Sequence, residues 1–91
     1  MKVQPIVEKL KDEYTKKYQQ WLKDNPGYVM CNYGTKEWIL NTVLIDNLDL
    51  EEIIEKEKWY RDRHNNGKVH SYIPAEVLKE LIELIKESNG I

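Results

Sequence analysis

Ninety-one residues are enough for one domain and too few for several. The formal charge of −2 gives no global attraction for nucleic acid or an acidic membrane surface, and a lone cysteine excludes both an intrachain disulfide and a cysteine-based zinc site. No apolar run approaches the roughly 20 residues needed to span a bilayer, so the chain reads as soluble and cytoplasmic, without a signal peptide.

The first predicted element is a helix from Val3 or Pro5 to Asp24. Val3, Ile6, Val7, Leu10, Tyr14, Tyr18, Trp21 and Leu22 recur at three- and four-residue steps and share one face. The Tyr14, Tyr18, Trp21 continuation of that line reads as core rather than as a platform for stacked bases. Pro26 and Gly27 stop the helix. The stretch "YVMCNYG" reads as a short helical turn, with Cys31 in the role of a small buried hydrophobe. Thr35 then resembles an N-cap for "KEWILNTVLIDN". That segment is apolar nearly all round, so its helix is expected to be the most buried of the chain.

Asp49 followed by Glu52 is the pattern of a capping box and opens a further helix, "LDLEEIIEKEKWYRDRH". Its acids cluster at the start and Arg61, Arg63 and His64 at the end, as the helix dipole favours. "NNG" closes it, an irregular "KVHSYI" follows, and Pro74 opens the last helix. Val77, Leu78, Leu81, Ile82, Leu84 and Ile85 give that helix one broad apolar face. The expected fold is all-α: a compact single domain, residues 1–91, of about four helices.

No reaction chemistry stands out. There is no phosphate-binding glycine loop and no nucleophile elbow. His64 and His70 are six apart, which is neither a helical nor a zinc-finger spacing. The reading is of a non-enzymatic protein without metal or cofactor.

The chain nevertheless alternates in charge. Residues 44–55 carry five acids and no base, whereas residues 56–70 carry five bases against two acids, a local +3. Within the basic segment, Trp59 lies about 140° from Ile54 on the helix and therefore off the apolar stripe of Leu50, Ile53, Ile54 and Tyr60, which has Glu57 at its edge. Its neighbours one turn away are Lys56 and Arg63, and an arginine so placed can lie over the indole. Trp and Arg are enriched at binding hot spots. Lys56, Trp59, Tyr60, Arg61 and Arg63 are thus the candidate partner-binding residues, with Trp59 as anchor. The bland reading packs Trp59 against the last helix or Tyr72. Segment 56–70 offers nucleic-acid binding as the alternative function, and the apolar face of the last helix offers a homodimer.

"YTKKYQQWL", "NYGTKEWILNTVLIDN" and "LDLEEIIEKE" resemble a family of short helical bacterial and phage proteins known only as a domain of unknown function. Tyr33, Lys36, Glu37, Ile39 and Leu40 match its central block, and Asp46, Asn47 and Leu48 its turn; Gly34 and the basic segment depart from it. The likeness spans residues 14–57. It implies an all-α fold and a phage or mobile-element setting, such as an accessory or inhibitory protein, and it transfers no catalytic residue.

Overall fold

The computed structural model describes residues 3–27, 31–69 and 71–90, with the backbone alone at residues 31 and 32. The described residues form four helices and no strand: α1 (Gln4–Asp24), α2 (Cys31–Ile45), α3 (Leu50–Asn65) and α4 (Ile73–Ser88). The chain is the all-α domain that its periodicity predicts.

Local chemistry sets most of the boundaries. Pro5 and Pro74 occupy the first turns of α1 and α4, where a missing N–H costs nothing. Asp49 and Glu52 form the expected capping box: the Glu52 N–H donates to the Asp49 carboxylate at 2.8 Å, and the Asp49 N–H donates to the Glu52 carboxylate at 3.2 Å. α2 and α3 both end in Schellman motifs. At the end of α2 the Asn47 N–H donates to Leu44 O and the Leu48 N–H to Val43 O, with Asn47 at φ 49°. At the end of α3 the Gly67 N–H donates to His64 O and the Lys68 N–H to Arg63 O, with Gly67 at φ 72°.

α4 sits at the centre and packs against all three other helices; α2 also packs on α1. Val7, Leu10, Ile39, Leu40, Val43, Ile53, Val77, Leu78, Leu81 and Ile85 make the fully buried core. Each such aliphatic side chain contributes about 1.5–3 kcal/mol on burial. Tyr14 joins them, and its hydroxyl donates to the Glu80 carboxylate, tying α1 to α4.

Four expectations are revised by the structure. Thr35 does not cap α2 but lies inside it, because the helix already runs from Cys31. Tyr33 stacks on Tyr18 of α1, with ring centroids 4.9 Å apart, and Lys36 Nζ lies over the Tyr14 and Tyr33 rings. These contacts with α1 reward the extra turn that Gly34 alone would discourage. The expectations for Tyr28–Met30, the Cys31 side chain and His70 lie outside the described residues.

α2 is also not the most buried helix. α4 is, because its apolar residues are gathered on one side, whereas those of α2 surround it. Trp38 is 56% exposed and Ile45 81% exposed. On α3 the stripe that meets α4 is Leu50, Ile53, Glu57 and Tyr60, at steps of three and four. Glu57 is therefore buried, and Ile54, expected on the stripe, is exposed. Finally, Val77, Leu78, Leu81 and Ile85 are covered by the chain itself, so of the apolar face expected to offer a homodimer only the partly buried Ile82 and Leu84 remain within reach of a second copy.

Candidate functional site

The capping box fixes the start of α3 and the Schellman turn fixes its end, with Arg63 supplying the carbonyl that closes the turn. Glu51 and Glu52 stand in the first turn and Arg63 and His64 in the last, so the helix carries a charge gradient that complements its dipole. His64 is held as well: its Nδ1–H donates to Val69 O at 3.0 Å, and its ring lies 5.1 Å from that of Tyr72.

Trp59 projects from the middle of this braced segment and is 49% exposed. The expected aromatic clamp by Tyr72 is not seen: Tyr72 meets His64. Arg63 lies over the indole, with its guanidinium carbon 4.1 Å from the ring centroid. Such a contact contributes about 0.5–1 kcal/mol at an exposed site. The Arg63 Nε is shielded from solvent and has no hydrogen-bond partner among the described residues. Tyr60 meets Trp59 edge-on, at 4.9 Å and 89°, and packs its other side on the core. Burial pushes the Tyr60 phenol pKa up, which keeps it neutral.

Two open grooves share Trp59 as a wall. One, of about 410 Å³, is lined by Leu48, Glu52, Glu55, Lys56, Trp59 and Tyr60. The other, of about 260 Å³, is lined by Trp59, Asp62, Arg63, Asn66 and Lys68. Lys56, Trp59, Tyr60 and Arg63 are thus brought together, as helical spacing predicts.

Arg61 is not part of that constellation. It turns to the α4 side, where it pairs with the Glu57 carboxylate at 3.5 Å. There it lines a third groove, of about 310 Å³, with Lys58, Ile54, Ile82, Lys79 and Lys86. The +3 of segment 56–70 is accordingly divided between two sides of α3. The groove beside α4 was not anticipated, because the cations that complete it come from a helix about twenty residues further on. Asp62 and Asn66, also unanticipated, complete the second Trp59 groove; their i+3 and i+7 spacing from Trp59 was the signal for them.

Among the described residues no three His, Cys, Asp or Glu side chains converge as metal ligands, and no helix is long and apolar enough to cross a membrane. The arrangement offers an aromatic surface, a cation stacked on it and mixed charge around it. In comparisons with protein-family models, curated proteins and solved structures, the chain has no significant match to any of them. The class that the fold defines is a small all-α domain.

Proposed function

We propose that the chain is a non-enzymatic protein-interaction module whose contact surface is the Lys56–Trp59–Arg63 face of α3. One observation carries the reading: a half-exposed tryptophan is held in a fixed pose by a stacked arginine, between two grooves. An indole with its orientation already set loses little conformational entropy on binding. Aromatic and arginine side chains in such positions are the usual anchors of protein interfaces. Lys56, Arg63 and Lys68 alternate around the indole with Glu52, Glu55 and Asp62, which suits a partner surface of mixed charge.

The division of the basic segment favours this over the nucleic-acid alternative. Phosphate tracking needs cations along one path, whereas Lys58 and Arg61 lie on the α4 side and Lys56, Arg63 and Lys68 beside Trp59. A cytoplasmic accessory or inhibitory role, of phage or mobile-element type, is the setting that the resemblance of residues 14–57 implies for such a module.

The test is capture of partners from nuclease-treated bacterial lysate, comparing the wild type with a Trp59→Ala/Arg63→Ala double variant and with Arg61→Ala, all verified as helical and folded. A protein retained by the wild type and by Arg61→Ala, and lost from the double variant, is the expected result. Equal retention by all three would overturn the assignment, since truncating an anchor costs about 2 kcal/mol or more.

A further inference from the structure

α2 has fifteen residues, and only Lys36 and Glu37 among them are charged. Neither faces solvent on the outer side. Lys36 Nζ lies 4.8 Å from the centroid of the Tyr14 ring, and the Glu37 carboxylate accepts from the Thr15 hydroxyl at 3.4 Å, so both are turned to α1. At about 100° per residue, Gly34, Thr35, Trp38, Asn41, Thr42 and Ile45 occupy the opposite face within about 60° of Trp38. That face carries no charge, and Trp38 and Ile45 on it are the two most exposed large hydrophobic side chains of the described residues.

Ordinary solvent-facing helix surfaces are charged. The outer faces of the other helices are: α1 exposes Glu8, Lys9, Asp12, Glu13, Lys16 and Lys17, and α3 and α4 are similarly lined. An uncharged strip with protruding Trp and Ile is instead the character of a covered surface.

We infer that the strip is covered by the same strip of a second copy, in an antiparallel α2–α2 contact about a two-fold axis. Charge decides the occupant. The surfaces that α1, α3 and α4 present are charged and would strand ions against Trp38 and Ile45, whereas the strip matches itself. Register supports it as well. With the axis passing between positions 41 and 42, residue 38 of one copy faces residue 45 of the other, because 38 and 45 are equally distant from it. Each Trp38 then covers the partner copy's Ile45, twice over. Thr42, next to the axis, is small enough to let the helices approach, and its hydroxyl already donates to Trp38 O at 2.9 Å, so it brings no unmet donor into the contact. The Trp59 face, on α3, is not part of this strip, so a dimer could still engage a partner there.

Sedimentation equilibrium of the full chain from about 1 μM to 1 mM tests the contact, with concentrations set to bracket typical weak-to-moderate affinities. The wild type is expected to dimerise reversibly. Ile45→Glu and Trp38→Lys, both at exposed positions and checked for unchanged helicity, are each expected to weaken the dimer at least about 30-fold. Mixing the two variants restores association, because one interface site then pairs Glu with Lys and the other keeps Trp38 on Ile45. A wild type that stays monomeric throughout, or an Ile45→Glu variant that dimerises as well as the wild type, overturns the proposal. Failure of the mixture to associate overturns the antiparallel register. None of these outcomes depends on Trp59, so failure here is separable from failure of the partner-capture test.

Discussion

α2 and α4 have similar lengths, and both are rich in large apolar residues, yet they end up in opposite situations. α4 gathers its apolar residues on one side and places charges on the other, and it becomes the hub of the core. α2 distributes them around its circumference. One side, Ile39, Leu40 and Val43, enters the same core, and the other leaves Trp38 and Ile45 in solvent. A helix can bury only the faces its neighbours reach, and a four-helix domain of this size supplies α2 with two neighbours on one flank. Apolar content therefore measures how much surface needs covering; its angular distribution determines how much the chain can cover by itself.

The sharpest way to break that contrast is to truncate one aliphatic side chain on each helix. Leu81→Ala, in α4, removes a fully buried side chain and is expected to lower unfolding free energy by about 2–5 kcal/mol. Equilibrium denaturation reads it, and a loss below about 1 kcal/mol would mean that α4 is not the hub.

The second largest effect concerns the link between α4 and α1. Burial, reinforced by the hydrogen bond to Glu80 and by nearby carboxylates, pushes the Tyr14 pKa well above the ordinary value for a phenol. The folded state thus holds this proton where the unfolded chain releases it. Stability from this group is fully present below about pH 10 and declines as pH rises above it, at up to about 1.4 kcal/mol per pH unit. Unfolding measured from pH 8 to 11 is expected to show a steeper decline for the wild type than for Tyr14→Phe. Parallel curves would show that the link does not contribute.

The smallest effect completes the comparison. Ile45→Ala, in α2, is expected to change unfolding free energy by less than about 0.5 kcal/mol when measured on dilute, monomeric protein. A large loss would place Ile45 in the chain's own core and erase the difference between the two helices.

What the sequence disclosed follows the same division between local and distant causes. The limits of α3 were legible because Asp49, Glu52 and Gly67 act on backbone groups within a few residues. The stacking of Arg63 on Trp59 was legible because four residues make one helical turn. The early start of α2 was not, since it depends on Tyr33 meeting Tyr18 fifteen residues before it. Nor was the exposure of Trp38, Ile45 and Ile54, which depends on where other helices lie. Arg61 was grouped with Trp59 because the two are close in sequence, and was separated from it by rotation about the helix axis and by its pairing with Glu57.

The attachment of α3 has a consequence for how the molecule breathes. This helix leans chiefly on α4 and inserts one fully buried aliphatic side chain, Ile53, beside the carboxylate-bearing Glu57. α1, α2 and α4 each insert two or more. Regions with few buried apolar contacts open at lower free energy than the rest of a domain. On that ground α3 is expected to be the unit that detaches first in sub-global opening, which amide exchange faster in α3 than in α1, α2 and α4 would show. If the proposed partner at Trp59 bound only the docked helix, it would raise the opening free energy of α3 with the logarithm of its concentration over its Kd. Binding at Trp59 and local folding of this helix would in that case be one equilibrium.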